Sequence, residues 1–342
     1  MKEQISRSRT YVTLIGIFAI ILATFLIIQP FYPARSAHAA GSVGFHISGR
    51  TLRDVHGNNF IIRGISHGYA WYLSQNTAFA NIKATGANTV RVVLSGGSNG
   101  GAATSLANVK TAINLCKTNK LVCVLEDHDT TGYNDHPAAT LAQAVSYWKS
   151  LQSILAGQEN WVIINIGNEP WGNSNPSGWT SATKNAIVAM RNAGFKHTLM
   201  VDAPNWGQDN SHTMLNNATS VEATDSMHNT IFSVHMYGVY GSASTVNSYI
   251  SSFYNTGMPL VIGEFGATQS GSSSSDDANQ IMADAQSRGI GYMGWSWSGN
   301  GSPVQYLDMV KNFNPGQRTA WGTRIITGAN GIKQTSHQCL CY

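Results

Sequence analysis

The sequence predicts an α/β fold: a (β/α)8 TIM barrel preceded by a short N-terminal β-hairpin. Three observations carry that expectation. Short apolar runs recur with starts about 30–40 residues apart. Helical patterns fill the intervals between them, as in a chain of β-then-α units. No G-x-G-x-x-G follows the first run, which argues against the runner-up, an open doubly wound sheet. Of the 342 residues, 42% are hydrophobic and 11% charged, enough apolar chain for one barrel and too much for a disordered protein. The glycines follow no G-x-y period, so the chain is not collagen-like.

In chain order, Lys2, Arg7 and Arg9 precede an apolar run over residues 11–28, which ends in Ala37-His38-Ala39-Ala40. Basic head, apolar middle and an A-x-A end predict a secretory signal over 1–40, cleaved near Ala39 or Ala40. The run is nearly long enough to span a bilayer, so an uncleaved anchor is the alternative, and membrane attachment is expected only in that case. Residues 45–47 and 60–62 flank the polar turn His56-Gly57-Asn58 and predict the hairpin. Strands are expected at 60–65, 89–94, 121–126, 162–166, 198–202, 231–237, 260–264 and 291–297. Helices are expected at 141–155, 181–191, 278–288 and 304–313, within a single domain over 41–335 and ahead of a tail at 336–342.

Ser95-Gly96-Gly97-Ser98-Asn99-Gly100-Gly101 lacks a following Lys-Ser or Lys-Thr and reads as a loop, not a phosphate cradle. Residues 270–275 read as a surface loop, and Asp276 and Asp277 as first-turn acids of the next helix. Cys116 and Cys123 flank a short polar stretch that a local disulfide could close. Cys339 and Cys341 lack zinc-site spacing and read as a mobile tail with free thiols or an intermolecular bridge.

The active face of such a barrel lies at the C-terminal ends of its strands. The polar residues expected there are Arg91, then Glu126-Asp127-His128-Asp129, Asn168-Glu169-Pro170-Trp171, His235-Met236-Tyr237, Glu264, and Trp295 with Trp297. Strands that end in carboxylates place costly groups on the rim, so Glu169 and Glu264 are the candidate catalytic pair. Two glutamates across one cleft can act on a glycosidic bond if their environments separate their pKa values. Arg91 and His235 could keep one charged, and an apolar setting near Trp171 could keep the other protonated. His235 and Tyr237 share strand parity, as do Trp295 and Trp297, and a rim tryptophan offers a sugar ring a flat face. The consecutive acids at 126–129 suit a single metal poorly, and no His-Glu-x-x-His occurs. No metal or cofactor is expected, and nucleic acid is excluded because basic residues do not cluster with aromatics.

Taken together, Asn-Thr-Val-Arg91, Glu126-Asp-His128-Asp-Thr-Thr-Gly-Tyr, Gly-Asn168-Glu169-Pro-Trp, Val-His235-Met-Tyr237, Ile-Gly-Glu264-Phe-Gly, Val-Asp202-Ala-Pro-Asn-Trp206 and Gly-Trp295-Ser-Trp297-Ser-Gly-Asn300 resemble glycoside hydrolase family 5. The likeness is to its secreted bacterial endo-β-1,4-mannanases. The resemblance implies a retaining enzyme with Glu169 as acid/base and Glu264 as nucleophile. Asn168 would contact the sugar 2-hydroxyl, Arg91, His235 and Tyr237 would orient or tune Glu264, and His128 would line the same subsite. Trp295 would be the stacking platform and Trp71 an outer contact. The implied partner is a β-mannan polysaccharide and the expected state a monomer. A β-1,4-glucanase and a non-catalytic carbohydrate-binding protein are the alternatives.

Three features depart from the family pattern: Tyr69 in the stretch Ser66-His67-Gly68-Tyr69-Ala70-Trp71-Tyr72, Asp127 where an apolar residue is usual, and the Cys-Leu-Cys tail. The formal net charge of +4 belongs mostly to residues 1–40, which hold Lys2, Arg7, Arg9 and Arg35 against Glu3; without them it is +1, consistent with a neutral substrate.

Overall fold

The computed structural model describes residues 44–98, 100–267 and 277–342. The predicted signal over 1–40, the loop at 270–275 and Asp276 lie outside the described residues. Asp277 accepts the N–H of Gln280 at 3.0 Å and is the N-cap of its helix, just before the first turn expected for it.

Strands β1 (His46–Ser48) and β2 (Thr51–Arg53) form the hairpin. It closes at Gly49-Arg50, not at residues 56–58, because Gly49 supplies the left-handed backbone (φ +61°) that so tight a turn requires. The polar stretch at 56–58 makes a second turn, held by the Asp54 carboxylate, which accepts from the N–H groups of His56 and Asn58.

Eight parallel strands close the barrel: β3 (Arg63–His67), β4 (Thr89–Leu94), β5 (Val122–Asp127), β6 (Val162–Asn165), β7 (Leu199–Asp202), β8 (Thr230–Met236), β9 (Leu260–Phe265) and β10 (Gly291–Gly294). Helices α1 (Thr77–Ala84), α2 (Leu106–Thr118), α3 (Leu141–Ser150), α4 (Gln152–Leu155), α5 (Gly178–Asn192), α6 (Thr213–Glu222), α7 (Ala243–Asn255) and α8 (Ala278–Arg288) follow them in turn. The predicted helix over 304–313 is absent. That segment carries only 3₁₀ turns, since its backbone bonds elsewhere: Met309 and Val310 donate to the carbonyls of Ser296 and Trp297. The helices after β10 are α9 (Ala320–Thr327), capped by Thr319, and the short α10 (Ile332–Thr335).

Strand parity sorts the core into two layers. Val122 and Val124, with Ile163, Met200, Val261 and Met293, point inward and fill the lower barrel against Phe45, Phe60 and Ile62. Their neighbours Cys123 and Leu125 point outward into the helix layer. Arg91, Glu126 and Asn165 share the inward parity one layer higher, so the same alternation that fills the floor places polar groups at the mouth.

The cysteines overturn both expectations. Cys116 and Cys123 are buried free thiols, one on the inner face of α2 and one on the outer face of β5, where they pack as small apolar groups. Cys339 and Cys341 are bonded to each other. The tail is not mobile: both cysteines join the lower core layer, Trp161 Nε1 donates to the Cys341 carbonyl, Asn88 donates to that of His337, and the Tyr342 hydroxyl to that of Leu121. A chain ending at Ser336 should therefore lose at least about 4 °C in Tm by calorimetry. Turnover at 25 °C should remain near wild type, because the tail caps the floor and not the mouth.

Candidate active site

The mouth is organised around Arg91. Fully buried, it reaches Glu264 Oε1 at 2.6 Å through Nη1, and Asn168 Oδ1 at 2.7 Å through Nη2. Asn165 Oδ1 accepts from Nη2 and Nε at 3.1 and 3.2 Å, Asp202 Oδ2 lies at 3.4 Å and Glu126 Oε1 at 3.5 Å. Burial disfavours the guanidinium charge, but the carboxylates of Glu126, Glu264 and Asp202 outweigh it and hold Arg91 more firmly protonated than usual.

Glu264 lies near the end of β9. Its other oxygen accepts from the Tyr237 hydroxyl at 2.8 Å. A bulge between Val234 and His235 shifts the β8–β9 register so that His235 sits opposite Glu264. Burial beside Glu264 pushes the Tyr237 phenol well above its ordinary range, so it remains a donor.

Glu169 follows β6 by four residues and adopts left-handed backbone at φ +40°. That is an unfavourable conformation for a residue with a side chain, and more so before Pro170. Two hydrogen bonds hold it: its N–H donates to Asp202 Oδ2 at 3.2 Å and its carbonyl accepts from Gly132 at 2.9 Å. The carboxyl, 12% exposed, meets His235 Nδ1 at 2.8 Å. His235 meets Glu264 by charge, at 3.8 Å, while its hydrogen bond goes to Glu169 and its other nitrogen lies 3.2 Å from Asp202. Burial opposes charge on His235, yet Glu264 and Asp202 raise it to about 10. Burial also pushes Asp202 up, and His235 and Arg91 bring it down to about 2. Glu169 is raised, by burial, against the opposing pull of His235. The Trp171 indole donates to the Ser174 carbonyl at 3.2 Å and packs edge-on against Tyr133.

Glu169, His235 and Glu264 offer ligand atoms within 4.8 Å of one another. A protonated imidazole has no lone pair to give, and Arg91 and Tyr237 already occupy Glu264, so the set suits proton transfer better than metal binding.

An aromatic wall stands beside the carboxyls. His128 packs against Trp295 at 5.6 Å and 22°, Trp71 meets His128 edge-on at 5.1 Å, and Trp71 is 54% exposed. His128 Nδ1 pairs with Glu126 Oε1 at 2.9 Å, which ties the wall to the Arg91 network. Asn168 is oriented at both ends, donating to Thr131 Oγ1 at 2.8 Å and accepting from Arg91. Trp297 is not in the site: β10 ends at Gly294, the two-residue period ends with it, and the Trp297 ring is buried in the helix-side core. Tyr69 is also core, its ring against Phe79 and His67. Sequence reasoning missed Asp202 and Asn165 as site residues. Asp202 ends β7 and carried the same strand-end signal as Glu264.

Residues 53–301 match the family described as cellulase (glycosyl hydrolase family 5). The chain is 49% identical over 335 residues to a mannan endo-1,4-beta-mannosidase of Streptomyces lividans, covering 97% of this chain and 86% of that one. It is 50% identical over 308 residues to a mannan endo-1,4-beta-mannosidase of Cellvibrio japonicus, covering 90% and 71%. The mannohexaose complex of Thermomonospora fusca β-mannanase superposes with a TM-score of 0.83 at 51% identity, over 86% of this chain and 98% of that one.

Asp127 faces the helix layer, as its parity requires. Its Oδ1 accepts from Gly96 at 2.9 Å and Asp129 at 3.3 Å, while Oδ2 is buried without a hydrogen-bond partner among the described residues. Burial, then the Asp129 charge, raises Asp127 to about 7. A carboxyl raised on folding stabilises the fold fully below its unfolded pKa of about 4 and loses that contribution as pH rises through 7. Asp127→Asn, which keeps the shape without the charge, should stabilise the protein by on the order of 2 kcal/mol at pH 8. The advantage should shrink toward zero at pH 4 in thermal melts. An advantage that grows on acidification would mean that Asp127 is ionised in the fold.

Proposed function

The chain belongs to glycosyl hydrolase family 5, and from that membership we propose that it is a retaining endo-β-1,4-mannanase acting on internal bonds of β-mannans by double displacement. The observation that carries the mechanism is the close approach of the two glutamates, an oxygen of each within 4.8 Å of the other. Retaining pairs stand about 5–5.5 Å apart, and inverting pairs about 6.5–9.5 Å, to admit a water. Glu264, engaged by Arg91 and Tyr237, attacks the anomeric carbon. Glu169, which burial pushes toward the protonated form, gives its proton to the departing glycosidic oxygen. A covalent glycosyl ester forms on Glu264. Glu169, now ionised, takes a proton from water, which displaces the ester and restores the original anomeric configuration. His235 hydrogen-bonds Glu169 through both changes of charge, and Asp202 at its far nitrogen balances the imidazolium.

Mannan as substrate is supported by the names of the relatives and by the mannohexaose-bound neighbour. Export after removal of residues 1–40, and a monomeric state, are part of the same proposal; the three-part N-terminal pattern supports the export. Protein recovered from the culture medium should begin near residue 40 by N-terminal sequencing; a chain beginning at Met1 in membranes would refute export.

Reducing-sugar release should be strong on linear mannan and galactomannan and weak on carboxymethylcellulose; the reverse order would make the enzyme a glucanase. Proton NMR should show products released with the β configuration. Glu264→Ala should lose detectable turnover of mannan, and azide should restore cleavage of an activated β-mannoside as the α-azide. Glu169→Ala should lose about 10²–10⁴-fold on mannan.

A further inference from the structure

Outside the catalytic network, an exposed carboxylate joins three loops of the rim. Asp135 lies in the loop after β5. Its Oδ2 accepts from the Asn173 N–H at 2.7 Å and from the Trp206 indole Nε1 at 2.8 Å, and its Oδ1 accepts from the Ser174 N–H at 2.8 Å. These three donors hold the carboxyl below the usual carboxylate range although it is exposed. Two glycines reserve the space. A Cβ on Gly172 would come within 2.2 Å of the Asp135 carboxyl carbon, and one on Gly132 within 2.4 Å of the Trp206 ring. Both are closer than any side chain allows, so neither position admits another residue without displacing Asp135 or the indole.

The place of this assembly assigns it a side of the cleft. The Trp206 N–H donates to the Trp171 carbonyl, two residues beyond Glu169, and the Gly132 N–H donates to the Glu169 carbonyl itself. The indole, packed over Gly132, therefore lies on the side of the mouth that carries Glu169, in the loop after β7, four strands round the barrel from β3, whose following loop carries Trp71. A general acid protonates the bond on the departing side, so the sugars next to Glu169 are those that leave.

We propose that Asp135 is a positioning residue for the leaving-group half of the cleft: it fixes the Trp206 indole and the 172–174 turn as the wall against which the departing β-1,4-linked sugars rest. The proposal rests on Glu169 being the acid/base. Asn cannot replace Asp135 here. Whichever way its amide turns, its NH2 meets an N–H: one orientation faces Trp206 and Asn173, the other Ser174. A rotating indole still presents apolar area but no longer a fixed face, so the loss should fall on binding of the departing sugars and not on the bond-breaking groups.

The test compares two substrates and two positions. Mannohexaose fills both halves of the cleft. β-Mannobiosyl fluoride departs as a single atom and touches no wall on the leaving side. Asp135→Ala and Trp206→Phe, which removes the indole N–H, should each lower kcat/KM on mannohexaose about tenfold, mainly through KM. Transfer to mannotriose as acceptor should fall alongside it, while kcat/KM on the fluoride stays within about twofold. Equal losses on both substrates, or no loss on mannohexaose in either variant, would overturn the proposal. If the wild-type enzyme turns over cellohexaose and cellobiosyl fluoride instead, the mannan reading fails, and the same contrast is read in that series.

Discussion

One buried guanidinium sets the terms for the whole mouth of this barrel. A charge as deeply placed as that of Arg91 is tolerated only when carboxylates and oriented amide oxygens surround it, since desolvation alone costs several kcal/mol. The surrounding groups come from different strands or the loops that follow them: Glu126 from β5, Asn165 and Asn168 from β6 and beyond, Asp202 from β7, Glu264 from β9. Each is aimed inward to satisfy Arg91, and in being so aimed it is placed where a substrate would lie. The cation that binds this ring of groups together also sets its positive charge 2.6 Å from the Glu264 carboxyl, complementary to the negative charge that the proposed nucleophile requires.

The count of charges then distinguishes the two glutamates. Glu126, Asp202, Glu264 and Glu169 are four carboxyl groups, and Arg91 and His235 are the two cations between them. Ionising all four would leave buried negative charge without compensation, reduced but not removed if His128, which Glu126 raises against the opposing effect of its burial, also carried a proton. Glu169 makes no contact with Arg91, and it is the group that burial pushes toward the protonated form. The proposed acid and the proposed nucleophile therefore differ in their distance from one arginine, and His235, in reach of both carboxyls, couples them.

Strand positions and the inward parity of Arg91 and Glu126 were legible in the sequence because apolar alternation is a local signal. Glu169 was legible by chemistry, since a carboxylate after an apolar strand has few structural uses. What escaped was decided by distant partners. His235 turns to Glu169 because of a bulge that no local pattern marks. Trp297 leaves the cleft because β10 stops three residues before it. Residues 304–313 carry helical spacing, but their backbone bonds to residues 296–297 instead. The Cys339–Cys341 tail looked free because its contacts, with Asn88, Leu121 and Trp161, lie more than a hundred residues away in sequence. Asp135 is one polar residue in a polar loop, and only the folded rim shows three donors converging on it.

Glu126 and Asp127 show how one step along a strand separates use from cost. Each is buried, and each has an oxygen without a hydrogen-bond partner among the described residues. Glu126 faces inward, paired with His128 and 3.5 Å from Arg91, so removing its charge would leave a buried cation under-compensated. Asp127 faces outward into the helix layer, where burial and the charges of Asp129 and Glu126 disfavour its ionised form, and no salt bridge to it is found among the described residues. Its burial does nothing for Arg91 and destabilises the ionised form. The period of two that places catalytic groups at the mouth therefore gives adjacent carboxylates opposite effects on the fold: one is needed to keep Arg91 in place, and the other opposes the packing of the loop it holds.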